Sequence, residues 1–279
     1  MALCGRAFLS DGVTVSGAET SVPVFVLCGG LGTRLREETE VRPKPMVPVG
    51  NRPILWHIMR TYSHYGFRRF VLCLGYKSEV IKAFFLNYAA MNSDFSVELK
   101  TNNLSFHGID HGEDWDVTLA YTGELTMTGA RVARAAARYL GDAEHFAVTY
   151  GDGLTNADLA EEYRFHLDNR RLGTVLGINP PSRFGELKVE GAAVREFSEK
   201  PQFAENWING GYFFFERGFL KYLSDDESCV LEKAPLIRLA RDGQLSIFKH
   251  RGFWACMDTQ RDRDFLNKLW DSGEAPWKV

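Results

Sequence analysis

The feature that most constrains this chain is a short apolar run that leads directly into a glycine-rich loop. The run from Val22 to Cys28 has the continuous apolar character of a strand buried on both faces of a sheet. The loop Gly29-Gly-Leu-Gly-Thr-Arg-Leu35 follows it at once. Backbone N–H groups exposed in such a loop can line up around a phosphate group. The sequence therefore predicts a central strand with a phosphate-binding loop at its carboxyl end.

Helical and strand-like segments alternate through the first 170 residues. Helices are predicted over 53–65, 77–88, 129–140 and 157–169, and strands over 68–74, 95–100, 116–121 and 145–150. Strand-like pieces then dominate from 173 to 216, before two helices at 231–241 and 261–271 that flank a strand at 245–249. Such alternation is typical of right-handed crossovers between parallel strands. The predicted fold is α/β: a Rossmann-like, mostly parallel mixed sheet flanked by helices, with a small β-rich insertion in the second half.

Charge and cysteine content narrow the expected partners and compartment. The formal net charge is -3, so no global positive field attracts nucleic acid or an anionic membrane, and neither is expected as a partner. No apolar run approaches the roughly 20 residues of a membrane span. The five cysteines include no Cys-x-x-Cys pair, which fits a reducing cytoplasm. Residues 1–21 are predicted to form a loosely ordered N-terminal arm, and 22–279 the folded domain.

Two familiar glycine motifs do not match the loop. The dinucleotide-binding fingerprint G-x-G-x-x-G would need a third glycine where Leu35 stands. The P-loop string G-x-x-x-x-G-K-[ST] occurs nowhere, and Lys44 lies between Pro43 and Pro45. Those prolines fix the backbone around the lysine, which suits a preorganised cation. A solvated charged loop is the alternative interpretation, because neighbouring glutamates nearly cancel the positive charge.

The complete loop and a series of later motifs resemble the sugar-1-phosphate nucleotidylyltransferases. The strings Gly29-Gly-x-Gly-Thr-Arg-Leu, Pro43-Lys-Pro-Met46, Val49-Gly50 and Pro53-Ile54 are similar to the signature of that family. The glucose-1-phosphate cytidylyltransferases among them share further strings in order and spacing: ILWHIM (54–59), TMTG (126–129), TYGDG (149–153), RFG (183–185), EKP (199–201), INGG (208–211), GFW (252–254), MDT (257–259) and APWK (275–278). The resemblance covers essentially all of 23–279.

The resemblance implies transfer of a cytidylyl group from CTP to α-D-glucose 1-phosphate, giving CDP-glucose and pyrophosphate. An oxygen of the sugar phosphate attacks the α-phosphorus of CTP, so no protein nucleophile is required. Lys44 and Arg34 match catalytic cations that bind the triphosphate and stabilise the leaving pyrophosphate. Asp152 and Asp258 match the family's metal-binding aspartates, and Mg²⁺ takes one or two carboxylates together with phosphate oxygens and water. Mg²⁺ is therefore the expected cofactor.

The other implied contacts divide into a nucleotide side and a sugar side. The implied nucleotide-binding residues are Leu27, Gly29, Gly30, Leu31, Gly32, Thr33, Thr128, Gly129, Arg131 and Gly151. The implied sugar-phosphate-binding residues are Gly185, Glu199, Lys200 and Asn209. Glu199 would accept hydrogen bonds from sugar hydroxyls and Lys200 would pair with the phosphate, which makes 173–216 a β-rich sugar-binding part. The family pattern also implies a homo-oligomer, with a hexamer as one candidate.

Two departures from the family pattern leave the substrate preference open. Ala130 follows Gly129 where the family often has a second glycine, and Ala255 stands where a glutamine commonly follows GFW. The same chemistry with dTTP or UTP, or with another sugar 1-phosphate, remains an alternative. A catalytically silent relative that binds sugar nucleotides and regulates a partner is an alternative of another class. The presence of both cations and both aspartates argues against that second alternative.

Overall fold

The computed structural model describes residues 22–108, 112–179, 186–198 and 207–279. Its strands are β1 (Pro23–Cys28), β2 (Pro48–Val49), β3 (Arg52–Pro53), β4 (Arg69–Leu74), β5 (Asp94–Glu98), β6 (Asn103–His107), β7 (Asp116–Tyr121), β8 (His145–Tyr150), β9 (Gly153–Thr155), β10 (Gly173–Ile178), β11 (Glu186–Glu190), β12 (Ala193–Ser198), β13 (Ile208–Glu216), β14 (Leu245–His250) and β15 (Trp254–Cys256). Its α-helices are α1 (Arg36–Thr39), α2 (Ile54–His64), α3 (Ser78–Leu86), α4 (Tyr88–Asn92), α5 (Thr128–Tyr139), α6 (Leu159–Asn169), α7 (Ala234–Arg241) and α8 (Gln260–Asp271).

Seven strands form the central sheet, in the order β14-β10-β13-β8-β1-β4-β7. The pairs β1·β4, β1·β8, β4·β7 and β10·β14 are parallel, whereas β13 runs antiparallel to both of its neighbours. The sheet is therefore mixed and mostly parallel, and helices cover both faces. The predicted fold class is confirmed.

The strand directions bring four chain segments to one edge of the sheet. In the parallel pair β1·β8, Leu27 is the partner of Tyr150, so both strands end at the same edge. Because β13 is antiparallel to β8, its beginning lies at that edge, where Tyr212 pairs with Thr149. The short ribbon β9·β15 continues from the end of β8 and pairs Gly153 with Cys256. Ligands of open α/β sheets bind at the carboxyl ends of the strands, so this edge is where a site is expected.

The core divides into two layers, one on each face of the sheet. Strand β13 shows the division within three residues, because side chains along a strand alternate between faces. Phe214 packs in the layer beneath α2 with Phe67. Phe213 and Phe215 point into the opposite layer beneath α5. All three phenylalanines are fully buried, as the sequence interpretation of this run as strand core predicts.

The strand-rich region at 173–216 is shared between two sheets. Its first and last strands, β10 and β13, belong to the central sheet, and among the described residues of this region only the hairpin β11·β12 forms a sheet of its own. Other differences are local. The helix predicted over 77–88 is divided at Asn87 into α3 and α4, and the strand β6 was not predicted. Among the described residues, no helix is both long and apolar enough to cross a membrane.

Candidate active site

A cavity of about 580 Å³ opens at this edge of the sheet. Its lining combines the glycine loop after β1, the turn between β8 and β9, the beginning of β13, the first turn of α5 and the segment from β15 towards α8. The volume lies within the range of small-molecule sites, and backbone and polar groups from several elements converge on it. It is the candidate active site.

The glycine loop, which lines the cavity, is held in a tight turn. Gly32 has a φ of 64°, in the left-handed region that favours glycine, and it caps a 3₁₀ turn over Thr33–Leu35. The Thr39 hydroxyl donates hydrogen bonds to the carbonyls of Gly32 (3.1 Å) and Leu35 (3.0 Å). The loop is therefore tied back onto α1, and its shape is set before any ligand arrives.

Arg131 lies beneath this loop and is only 3% exposed. Its guanidinium donates to the carbonyls of Gly29 (2.9 Å), Leu74 (3.0 Å), Gly123 (2.6 Å) and Glu124 (3.0 Å), and to the Thr122 hydroxyl (2.9 Å). A Cβ atom on residue 29 would stand 2.1 Å from the guanidinium carbon, so only glycine fits there. Although Arg131 lines the cavity, these bonds commit its Nη1 and Nη2 groups to the protein.

Four charged side chains that line the cavity meet in one cluster. The Lys44 ammonium lies 2.6 Å from Asp152 Oδ2 and 2.6 Å from Asp258 Oδ1. The Arg34 guanidinium reaches Asp258 Oδ2 at 2.8 Å and has a side chain that is 72% exposed, at the mouth. Lys44 is thus the inner cation and Arg34 the outer one. A lysine has three N–H donors, so the two aspartates leave one N–H of Lys44 uncommitted among the described residues.

Local structure places each member of this cluster. Lys44 opens a 3₁₀ turn, Lys44–Met46, that follows the extended Pro43. Asp152 follows β8, and its carbonyl accepts a 2.8 Å hydrogen bond from the Met257 N–H. Asp258 directly precedes Thr259, the N-cap of α8, whose hydroxyl and backbone N–H both bond to Asp262 in a capping box. The two aspartates come together because β9 and β15 pair.

The cluster shifts the pKa of its members in opposite directions. Burial alone lowers the pKa of Lys44, but attraction to Asp152 and Asp258 outweighs it, and the net pKa is raised. Burial raises the pKa of Asp258, but the bonds from Lys44 and the charge of Arg34 bring the net pKa below its usual value. Burial beside Asp258 raises the pKa of Cys256 to about 12, so this residue is a neutral thiol. Near neutral pH the lysine and Asp258 are therefore both charged.

The two aspartates are the metal-ligand candidates that the cavity offers. Their hard carboxylate oxygens lie on either side of the Lys44 ammonium. The space between the two carboxylates is therefore one that favours positive charge. Within the described ranges, no cluster of three or more His, Cys, Asp or Glu side chains could hold a metal. A pair of carboxylates suits Mg²⁺, which keeps water and phosphate oxygens as its other ligands.

The side of the cavity towards β13 has a different character, with an amide, aromatic rings and glycines. Asn209 Oδ1 accepts a 2.8 Å hydrogen bond from the Gly211 N–H. Trp254 donates from Nε1 to the Gly210 carbonyl at 2.7 Å, which fixes the indole against the wall. Tyr150 joins this wall at the end of β8.

Most of the sequence-predicted site residues meet in this one cavity. Those that line it are Leu27, Gly29, Gly30, Gly32, Thr33, Arg34, Lys44, Thr128, Arg131, Gly151, Asp152, Asn209 and Asp258. Leu31 is 46% exposed and lies outside the lining. Gly129 also lies outside it; a Cβ atom there would come within 2.8 Å of Cys229 Sγ, so this glycine allows close packing. Gly185, Glu199 and Lys200 lie outside the described residues.

Several lining residues were not predicted from the sequence. They include Cys28, Pro45, Thr126, Met127, Tyr150, Gly153, Gly210, Gly211, Tyr212, Glu232, Trp254 and Cys256. Tyr150 and Trp254 belong to the strings TYGDG and GFW, so a closer use of those motifs could have found them. Glu232 lies in no such string, and only the folded structure brings it to the cavity.

Comparison with known proteins is decisive for the family. The model of the family described as "Nucleotidyl transferase" matches residues 24–255. The chain belongs to the nucleotidyl transferase family. The glucose-1-phosphate cytidylyltransferases of Salmonella typhi and Salmonella typhimurium are each 45% identical to it over 254 residues, covering 91% of this chain and 98% of the relative. The resemblance drawn from the motifs is confirmed.

Solved structures agree with this nucleotidyl transferase at the level of the fold. The crystal structure of HddC from Yersinia pseudotuberculosis aligns with a TM-score of 0.62 and 21% sequence identity, covering 89% of this chain and 99% of that one. At that identity the match supports the fold alone. It independently supports the α/β architecture that positions the cavity.

Proposed function

We propose that this nucleotidyl transferase transfers a cytidylyl group from CTP to α-D-glucose 1-phosphate, releasing pyrophosphate and forming CDP-glucose. The observation that carries the proposal is the convergence of Lys44, Arg34, Asp152 and Asp258 on one cavity. The near full-length similarity to relatives named glucose-1-phosphate cytidylyltransferase supports the choice of substrates. A silent binding protein would not need this charged cluster.

The proposed reaction is a direct displacement at the α-phosphorus. A phosphate oxygen of glucose 1-phosphate forms a bond to that phosphorus as the bond to the β-phosphate bridging oxygen breaks, and pyrophosphate leaves with the electron pair. The attacking oxygen is already anionic, so the protein's task is to position groups and stabilise charge. The uncommitted N–H of Lys44 and the exposed Arg34 guanidinium are suited to the developing charge on pyrophosphate.

Mg²⁺ is the cofactor that we propose for this reaction. Asp152 and Asp258 would hold it, since they carry the two carboxylates of the cluster, 2.6 Å from the Lys44 ammonium. When bound, the ion would supply positive charge to the phosphate oxygens of the nucleotide. Lys44 would then be free to exchange a carboxylate for a phosphate oxygen, because its pKa is raised and it stays protonated.

The two sides of the cavity suggest where each substrate lies. The glycine loop and the start of α5 offer backbone groups suited to the nucleotide. The wall that contains Asn209 and Trp254 is suited to the sugar, and Glu199 and Lys200 are proposed to complete it. The alternatives are the same chemistry with dTTP or UTP, or with another sugar 1-phosphate.

A substrate panel tests the assignment of nucleotide and sugar. Purified protein would be incubated with each of CTP, UTP, dTTP, ATP and GTP against several hexose 1-phosphates, and products identified by mass spectrometry. We expect CDP-glucose to form with the highest kcat/KM. Preferential formation of another nucleotide sugar would contradict the assignment of CTP and glucose 1-phosphate as substrates. The proposed nucleotidyl transfer reaction would still hold.

We also propose that the protein is a homo-oligomer located in the cytoplasm. The hairpin β5·β6 supports assembly, because one of its faces is apolar and exposed. Phe95 pairs with Phe106 and Val97 with Leu104, and these four side chains, the hairpin patch, are 37–52% exposed. Alternation of this kind is typical of a strand with one covered face. The family resemblance makes a hexamer one candidate for this assembly.

Free thiols at the described cysteines fit a reducing compartment, which supports the proposed cytoplasmic location.

A further inference from the structure

A chain of hydrogen bonds along the cavity lining links the first turn of α5 to the beginning of β13. Thr128 Oγ1 donates to Glu232 Oε2 at 2.8 Å, and the Tyr150 hydroxyl donates to Glu232 Oε1 at 2.5 Å. Asn209 Nδ2 donates to the Tyr150 hydroxyl oxygen at 3.3 Å. All four side chains belong to residues that line the cavity. Glu232 lies at the centre of the chain, accepting from both sides.

Contacts outside the chain fix its other members. Thr128 Oγ1 accepts from the Leu231 N–H at 2.9 Å, which ties the first turn of α5 to the segment before α7. The Tyr150 ring lies against Gly211, where a Cβ atom would come within 2.3 Å of the ring carbon Cδ2. Asn209 is held by the Gly211 N–H. The chain is therefore a preorganised rim and not a group of freely rotating side chains.

The Glu232 carboxylate keeps unused acceptor capacity. A carboxylate has about four lone-pair positions, and two are occupied by Thr128 and Tyr150. Glu232 is exposed and, among the described residues, forms no ion pair. A carboxylate that is not neutralised by a cation repels a phosphate group. Glu232 therefore suits a part of the ligand that is neutral and carries hydrogen-bond donors. Ring hydroxyl groups have this chemistry.

We propose that Glu232 determines specificity by accepting hydrogen bonds from hydroxyl groups of the hexose ring, with Tyr150 orienting both Glu232 and Asn209. This inference rests on the proposed function. The ribose of the nucleotide carries the same chemistry, but the connection through Tyr150 to Asn209 directs Glu232 towards the wall assigned to the sugar. Glu232 is thus a binding residue, and Tyr150 a positioning residue.

Steady-state kinetics with Glu232→Gln and Tyr150→Phe test this assignment. Loss of a hydrogen bond to a charged acceptor commonly costs about tenfold or more in affinity. We expect Glu232→Gln to raise the KM for glucose 1-phosphate about tenfold and to change the KM for CTP less than about twofold. Because Tyr150 acts through Glu232, the effects of the two substitutions should be less than additive in the double variant. Glu227→Gln is the matched control. It removes one charge from the same surface segment but leaves the hydrogen bonds around Glu232 in place.

A series of glucose 1-phosphates, each lacking one ring hydroxyl, separates recognition from a structural role. In the wild-type protein, removal of the recognised hydroxyl should raise KM about tenfold, whereas the same removal should have little effect in Glu232→Gln. An unchanged sugar KM in Glu232→Gln, or equal losses across the whole series in both proteins, would overturn the proposal. A rise confined to the CTP KM would assign Glu232 to the ribose and overturn the hexose assignment.

A binding measurement distinguishes failure of the proposed reaction from failure of the role proposed for Glu232. If the wild-type protein forms no sugar nucleotide, calorimetric titration with glucose 1-phosphate still compares wild-type and Glu232→Gln binding. Weaker binding by the variant would support Glu232 as a hydroxyl acceptor even then, and identical binding would contradict it.

Discussion

Lys44 lies at the centre of the charged cluster in the cavity. It carries two 2.6 Å ion pairs from a position between prolines, so its side chain links the turn Lys44–Met46 to the segments that follow β8 and β15. Ion pairs within such a cluster do not by themselves imply stability. Under the proposed function their value is preorganisation, because the ammonium group is held in place before the phosphate groups of the nucleotide bind.

Substitution of Lys44 by alanine should nearly abolish turnover while leaving the protein folded. Loss of one preorganised donor to a developing negative charge commonly lowers kcat by about 10²–10³-fold. Pyrophosphate release would be measured alongside a thermal unfolding curve. Arg36→Ala is the matched control, because Arg36 is an exposed cation at the start of α1, eight residues before Lys44. Activity in Lys44→Ala close to that of the control would show that the lysine has no catalytic role.

Arg131 differs from Lys44 because its partners are backbone carbonyls. Arg131→Ala would take the donor away from the Gly123 and Glu124 carbonyls, whereas the Leu74 and Gly29 carbonyls keep donors in Thr122 and Tyr76. At about 1–3 kcal/mol for each unsatisfied group, we expect a loss of roughly 3 kcal/mol in the free energy of unfolding. Urea denaturation measures this. Arg138→Ala, an exposed change on the same helix, should cost less than about 0.5 kcal/mol. Equal stability in the two variants would refute the structural role.

At the scale of elements, the sequence predicts strands and helices well where contacts are local. The bounds of β7 and β8 agree with the predicted ones, because each follows a local apolar pattern between turns. The antiparallel insertion of β13 between β8 and β10 was not predicted. Strand pairing of this kind is set by contacts distant in sequence, on which periodicity carries no information.

The residues of the candidate site also divide into those that a local motif predicts and those that only the fold brings together. Lys44, Asp152 and Asp258 were predicted from motifs, because each stands in a short string that resembles a motif of the family. Glu232 reaches the cavity only through bonds to residues 82 and 104 positions away. No local pattern distinguishes it from an ordinary surface glutamate. Likewise, the many carbonyls around Arg131 are brought together by folding alone.

Helix α6 carries a buried carboxylic acid that should make stability depend on pH. Glu162 is 0% exposed, and neither carboxylate oxygen has a hydrogen-bond partner in the described structure. Burial raises its pKa well above the usual 4.5. The folded state therefore holds a proton that the unfolded state releases above pH 4.5, so this contribution to stability is lost as the pH rises from there towards the folded-state pKa.

Glu162→Gln should flatten that dependence, because the amide cannot ionise. Over the window above pH 4.5, the wild-type free energy of unfolding should fall by up to about 1.4 kcal/mol per pH unit relative to the variant. Urea denaturation at several pH values would follow the difference. Glu161→Gln, an exposed neighbour on the same helix, should keep the wild-type slope. Parallel slopes for wild type and Glu162→Gln would contradict the account.

At the scale of the whole molecule, the hairpin patch should govern assembly. Phe95→Glu with Phe106→Glu places two charges on the apolar face, and we expect light scattering to report a smaller particle than for the wild type. Ser96→Glu with Ser105→Glu places the same charges on the opposite, polar face of the same hairpin. That control should keep the wild-type mass. If both double variants keep the wild-type mass, the hairpin patch is not part of a subunit interface.

The central claim is that the cavity joins a nucleotide to a sugar phosphate by attack at the α-phosphorus. The most direct measurement follows CTP that is radiolabelled in its α-phosphate, incubated with Mg²⁺ and glucose 1-phosphate. We predict that the label is recovered in CDP-glucose and that one pyrophosphate is released for each product molecule. Release of orthophosphate without a labelled sugar nucleotide, or label found only in CTP or CMP, would contradict the account.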